Sequence, residues 1–394
     1  MIRNFIKILI FFIIKIIPKK KNLLVFGDRA GLRFADNSKH LFLYLNKYKN
    51  KFRCIWITKD EKIIKLINNN NFEAYKQNSL KGIYFCLIAN WHLFNFVEED
   101  IDSKITLYAK SILLWHGVLP KKVNKINHST NFVNNFIFKR TEKYFVYPNK
   151  KLAEPFLNRF PKYKYALLQS NLPRNLVLEN KLNYFHSESE KYLIERINGT
   201  KKKIFGYFPT WREDGLEIFR DIKSNDELEN LNSTLKENRS LFFLKKHMNS
   251  EKKDGDRHYN PKIEKMINFL KEKDSVIFAD YDLDLNSILY KCDYLITDYS
   301  GVVFDYLYLK RPIIFYVPDY DEFKKNVGFE INIIENNIGK IAKNINELSN
   351  IISEISNNDI EKPDQIQIKK NFKEKIFNTN NNGIENIIKI LERT

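Results

Sequence analysis

The sequence predicts an α/β protein built from two doubly wound, Rossmann-like domains. Three observations carry that prediction. A length of 394 residues exceeds what one hydrophobic core usually organises. The chain is 43% hydrophobic and 14% aromatic with only 12 Gly and 11 Pro, so it has ample apolar surface to bury and cannot be globally disordered. Short apolar runs alternate with polar, helix-compatible stretches along nearly the whole chain, which is the rhythm of parallel sheets covered by helices.

Taken in order, the chain opens with MIRNFIKILIFFIIKIIPKKK. The charge-free run between Lys7 and Lys15 is far shorter than the ~20 residues that span a bilayer. Neither a transmembrane helix nor an export signal is expected, because no small-residue cleavage site follows. Basic flanks at Arg3, Lys7, Lys15 and Lys19 to Lys21 suit a helix lying in the surface of an anionic leaflet, and a packing helix is the alternative. Apolar runs at 22–26 (NLLVF), 52–58, 91–97, 110–115 and 144–147 predict the strands of a first domain over 22–185. A charged, amphipathic stretch then leads into IFGYF at 204–208, the first strand of a second domain over 186–375. Its further strands are expected at 241–244, 276–279, 294–297 and 313–316, with helices over 263–271 and 285–291. The segment 376–394 reads as a helix that crosses back to the first domain.

Sixty-six basic against 48 acidic side chains give a net charge of +18, a field that attracts polyanions or anionic lipid without choosing among them. Part of the excess reflects a Lys-, Asn- and Ile-rich composition. Cys54, Cys86 and Cys292 are odd in number and far apart, which argues against a disulfide framework or a cysteine zinc site.

Four stretches carry residues suited to chemistry. Trp115-His116-Gly117 ends an apolar strand with an imidazole, fit either to take a proton from an alcohol or to serve as a structural hydrogen-bonder. Thr210 and Arg212 follow the first strand of the second domain, where a guanidinium matches phosphate bidentately or simply lies on a rigid turn. Lys245-Lys246-His247 places a second histidine at a strand end. In the run 294–305 the strand YLIT, ending in Thr297, enters a turn containing Ser300 and Gly301 and then an amphipathic helix holding Asp305. Amides at that helix start, with the Ser300 hydroxyl, make an anion site, although a serine there is also an ordinary N-cap. Asp280, Asp282, Asp284 and Asp293 lack calcium-loop spacing and read as caps and loop residues. The usual nucleotide loops and the H-E-x-x-H zinc motif are absent from the sequence.

With WHG at 115–117, PTWR at 209–212, KKH at 245–247 and LITDYSGVVFDYLYLKRPIIFY at 295–316 in that order, the sequence resembles the CDP-glycerol:poly(glycerophosphate) glycerophosphotransferase family of teichoic-acid primases and polymerases. The stretch FGDRAGLRFADNSKHLFLYL at 26–45 is similar as well. The resemblance implies a GT-B architecture, two Rossmann-like domains facing a central cleft, with acceptor and CDP-donor roles for the first and second domain. It implies an enzyme peripheral to the cytoplasmic face of the cell membrane that acts on a lipid-linked or polysaccharide acceptor. Carried over by position, His116 and His247 resemble the family's catalytic histidines. Thr210, Arg212, Thr297, Ser300, Gly301 and the amides that follow resemble its donor contacts, and Asp305 falls on an aspartate between binding and fold. Two departures stand out: Val118-Leu119-Pro120 replaces the usual T-P-L, and Gly301 replaces a common second serine.

The resemblance further implies transfer of glycerol phosphate from CDP-glycerol to an acceptor hydroxyl with release of CMP, with no cofactor, no metal and no nucleic-acid partner expected. Two rivals remain at this level: a transferase using CDP-ribitol or a nucleotide sugar, and a non-catalytic polyanion- or membrane-binding module.

Overall fold

A computed structural model describes residues 2–122, 133, 137, 140–159, 165–179, 185–210, 212, 219–245, 260–279, 283–357, 362–377 and 383–393. The chain forms two compact units. The first comprises residues 1–118, 123–185 and 376–394; the second comprises 119–122 and 186–375.

Unit 1 is a seven-stranded, all-parallel sheet: β1 (Lys20–Gly27), β2 (Arg53–Thr58), β3 (Glu73–Lys76), β4 (Ala89–Phe94), β5 (Ser111–Leu113), β6 (Lys143–Tyr147) and β7 (Ala166–Gln169). Their spatial order is β3-β2-β1-β4-β5-β6-β7. The chain therefore reverses its direction of winding between β1 and β4, and the crevice outside those two carboxyl ends is where such sheets bind ligands. Central strands carry the longest apolar runs because both their faces are covered. Leu24, Phe26, Trp56, Trp91 and Ile112 form the core with Phe42 of the helix α2 (Asp36–Tyr48) and Ile387 and Leu391 of the C-terminal helix Glu385–Glu392.

Unit 2 repeats the plan with β8 (Lys203–Tyr207), β9 (Ser240–Leu244), β10 (Val276–Phe278), β11 (Tyr294–Thr297), β12 (Ile313–Tyr316) and β13 (Lys340–Ala342). Its order is β10-β9-β8-β11-β12-β13, again all parallel, with the reversal between β8 and β11. Phe205, Tyr207, Phe242, Ile296 and Ile314 pack against Leu228, Leu231, Met266 and Leu348 from the covering helices.

Two helical expectations need correction. The helix expected over 285–291 shortens to Asn286–Leu289. The helix after Ser300 is only Val302–Tyr306, and every residue in it is buried, so it is a core plug rather than an amphipathic helix with a solvent face.

The N-terminal helix α1 (Ile2–Ile16) packs by one face, as the packing alternative expects. Phe11 and Ile14 dock against Tyr108, with Leu87 and Leu107 alongside. Phe5, Leu9, Phe12 and Ile16, at i, i+4, i+7 and i+11, stay exposed on another face, Phe5 at 69% and Ile16 at 78%. Lys19 reaches back to cap the carbonyl of Leu87, fixing the turn into β1. Among the described residues no helix is long and apolar enough to cross a membrane.

Candidate active site

The residues singled out in the sequence gather at strand carboxyl ends in each unit. In unit 2, Thr210 follows β8 and Asp298 follows β11, the two strands that flank the reversal. The Asp298 carboxylate ties these loops together. Its Oδ1 accepts from the Thr210 amide (2.8 Å), the Thr210 hydroxyl (2.6 Å) and the Tyr299 amide (2.6 Å), while Oδ2 accepts from Arg212 Nη2 (2.9 Å). Asp319, beyond β12, accepts from Arg212 Nε and Nη2 (3.2 Å each) and from the Tyr299 hydroxyl (2.9 Å). Arg212 Nη1 donates to the Thr210 carbonyl (2.9 Å). The guanidinium lies over the rings of Tyr299 and Phe323 at 5.1 and 4.9 Å.

This geometry changes the reading of Arg212. Burial opposes its charge, but Asp298 and Asp319 outweigh that and hold its pKa above the ordinary arginine value. All three of its nitrogens are engaged inside the fold, so a two-pronged grip on a phosphate would require existing pairs to break. Two carboxylates against one guanidinium also leave this cluster net negative. Arg212 is therefore not a spare positive charge.

Thr297 is likewise committed. It is fully buried, and its hydroxyl donates to the Phe208 carbonyl at 2.6 Å, so it staples β11 to the loop after β8 instead of facing a ligand. Ser300 and Gly301 stand half-exposed at the turn, where the Val302 amide donates a long bond to Ser300 Oγ (3.4 Å). Asp305 is buried in the five-residue helix, a position that speaks for fold. Lys245 follows β9 directly, whereas Lys246 and His247 lie outside the described residues, as do Trp211, Asp280 and Asp282. Beside Asp319 opens a cavity of about 710 Å³, lined by Arg220, Asp221, Pro318, Tyr320 and Lys343 among others.

In unit 1, His116 stands two residues past Leu114, whose amide still pairs with Phe94 of β4. Its ring stacks on Phe96 with centroids 4.4 Å apart and planes within 17°. Trp115 takes φ +59 and Gly117 φ +123. The first is a non-glycine residue in left-handed backbone, which costs of order 1–3 kcal/mol and tends to occur at functional sites. Arg29 (φ 47), Ala30 (φ 54) and Asp36 (φ 59) follow the end of β1 and share that conformation. Between β1 and β4 a buried polar network fills the crevice: Asn95 donates to Asp28 Oδ1 (2.9 Å) and accepts from the Ser38 hydroxyl (3.0 Å). Burial first, then the nearby Asp36, pushes the Asp28 carboxyl up to about 8. His92 is different in kind. Its Nδ1 and Nε2 lie 3.0 Å from Thr106 Oγ1 and the Cys86 carbonyl, and burial lowers it to about 3, as suits a structural imidazole that stays neutral.

Sequence reasoning missed Asp298, Asp319, Asn95 and Arg174 as organisers. Asp298 and Asp319 each sit one or three residues beyond a strand's last residue, and that position was the available signal. Lys121 and Lys122 belong to unit 2, where Lys121 bridges Phe329 and the Lys122 amide donates to the Gly328 carbonyl (3.1 Å).

Comparison with known proteins agrees with the motifs. The chain is 28% identical over 340 residues to a teichoic acid poly(glycerol phosphate) polymerase of Bacillus spizizenii, covering 81% of this chain and 79% of that protein. It is also 28% identical over 354 residues to a teichoic acid glycerol-phosphate transferase of Staphylococcus aureus, covering 82% of each. The solved structure of the wall teichoic acid polymerase TagF matches 100% of this chain and 98% of its own with a TM-score of 0.69 at 22% identity, which establishes a shared GT-B-like fold. The model of the CDP-glycerol:poly(glycerophosphate) glycerophosphotransferase family matches residues 9–390, and the chain belongs to that family.

Proposed function

We propose that the protein transfers glycerol phosphate from CDP-glycerol to a hydroxyl of a teichoic-acid-type acceptor and releases CMP. The observation that carries this reading is the coincidence of family match and geometry. Motif residues fall just past β5, β8, β9 and β11, at the ends where doubly wound sheets bind ligands. In the reaction the acceptor oxygen bonds to the phosphorus that bears glycerol, and the bond from that phosphorus to the bridging oxygen breaks. CMP leaves with the electron pair, and the acceptor's proton passes to the imidazole of His116. The turn at Ser300 and Gly301, with Lys245 at the carboxyl end of β9 and His247 two residues on as its expected partner, holds the donor diphosphate. The cavity beside Asp319 has the volume to take its nucleoside. Catalysis is then mostly positioning and charge stabilisation, with no covalent intermediate.

The acceptor is lipid-linked, and α1 lies on the cytoplasmic membrane surface. The exposed stripe Phe5, Leu9, Phe12 and Ile16 beside Lys7 and Lys15 supports this placement. Incubation with labelled CDP-glycerol and an acceptor, read by mass, tests the reaction: CMP should appear as the acceptor gains glycerol phosphate units. Transfer of ribitol phosphate or a sugar instead would overturn the donor assignment. His116→Ala should abolish turnover while CDP-glycerol still binds, and lost donor affinity with normal turnover at saturation would remove His116 from the base role.

A further inference from the structure

We propose that Arg174 is a positioning residue for His116, acting through the backbone of the turn at 115–117; this rests on reading His116 as the base. The turn is strained at Trp115 and left-handed again at Gly117, and such backbone persists only where its surroundings over-determine it. Two side chains do so. Asn37 Nδ2 donates to the Trp115 carbonyl at 2.8 Å, and Arg174 Nη1 donates to the His116 carbonyl at 2.7 Å. The same Nη1 also donates to Asp36 Oδ1 at 3.0 Å, and the Arg174 amide donates to Asn37 Oδ1 at 3.0 Å. Asp36, Asn37, Arg174 and the turn thus form a closed ring of hydrogen bonds at the start of α2.

The arginine lies hard against the turn from the other side as well. A Cβ on Gly117 would sit 2.3 Å from Arg174 Nη2, so a side chain there would have to displace the guanidinium, and the φ of +123 independently favours glycine. The Arg174 side chain is only 9% exposed, so its remaining freedom is small. Phe96 fixes the plane of the His116 ring by stacking, and Arg29 covers Phe96 at 4.7 Å. Ring plane and backbone are held by different residues. A base must meet its proton within a few tenths of an ångström, and misplacement near 1 Å can cost about 100-fold in rate. A lysine ammonium has donors enough for both acceptors, but it lacks the second guanidinium nitrogen that packs against Gly117 and the rigid plane that fixes both contacts at once.

The test uses the full chain with Arg174→Lys, Arg174→Ala, Gly117→Ala and His116→Ala. Arg174→Lys and Gly117→Ala should each lower kcat by roughly 10- to 100-fold, with the CDP-glycerol Kd changed less than about twofold. Added guanidinium ion should restore part of kcat in Arg174→Ala and none in His116→Ala. Unchanged kcat in both Arg174→Lys and Gly117→Ala overturns the proposal, as does a fall in kcat matched by an equal loss of donor affinity. If one variant does not fold, the other carries the test, because it perturbs the same contact from the opposite side. Full activity in His116→Ala defeats the reading of the base itself, an outcome separate from the behaviour of Arg174.

Discussion

At the scale of single residues, unit 2 commits Arg212 to internal order. Arg212 bridges Asp298 and Asp319, which lie on loops after different strands, and it adds a bond to Thr210. Arg212→Lys keeps the charge but loses the fork, so both loops should loosen. The expected result is a several-fold weaker CDP-glycerol Kd together with a lower melting temperature; a loss of affinity at unchanged stability would mean that the guanidinium binds donor directly. Calorimetry and thermal unfolding on one sample separate the two. Thr297→Val makes the complementary point. It removes a hydroxyl that donates to the buried Phe208 carbonyl, at nearly constant volume, and should cost about 1–3 kcal/mol in denaturant unfolding. Its donor Kd should be unchanged, because that side chain faces the loop after β8 and not the turn at Ser300.

At the scale of elements, the carboxyl ends of β1 and β4 show how burial sets titration. Asp28 follows β1, and its carboxyl moves from 3.8 up to about 8, chiefly by burial. The native state then holds a proton that the unfolded chain has already released, so stability falls as pH rises between about 4 and 8. Asp28→Asn removes this dependence. Its melting temperature relative to the unaltered protein should climb from pH 5 to pH 8, and a constant offset would show that Asp28 is ionised in the native state. The same view by elements explains what was legible in the sequence. Central strands such as β1, β8 and β11 are apolar on both faces and stand out as runs, so the winding of both sheets could be read. The strands that could not be read are β3 (EAYK), β7 (ALLQ) and β13 (KIA), all at sheet edges, where one side lacks a partner and short polar text suffices. Site residues were legible where a motif named them, but their partners were not: Asp36 and Arg174 lie 138 positions apart, and no local pattern links them.

At the scale of the whole molecule, a net charge of +18 and an exposed apolar stripe on α1 make one physical prediction about where the protein resides. Removing residues 1–21 would be a poor test, because Lys20 and Lys21 already belong to β1 and because Phe11 and Ile14 are packed against Tyr108. The exposed face can be changed alone. Phe5→Ser, Leu9→Ser, Phe12→Ser and Ile16→Ser together remove side chains that are each at least half exposed, so the melting temperature should hold within a few degrees. Binding to vesicles of anionic lipid should nonetheless weaken strongly, since the four most exposed apolar side chains among the described residues of α1 are gone, leaving Ile6, Ile13 and the lysines on its exposed surface. In the unaltered protein, binding should weaken as salt is raised and then level off, because salt screens the charge contribution and leaves the apolar one. In the fourfold variant the binding left at high salt should fall well below that of the unaltered protein. Turnover on a short soluble acceptor should stay near normal, because His116, Ser300 and the residues that hold them lie outside α1. A variant that pellets with vesicles as well as the unaltered protein at high salt would place the membrane contact on another surface, and one that stays bound yet loses soluble turnover would tie α1 to the catalytic fold instead of to lipid.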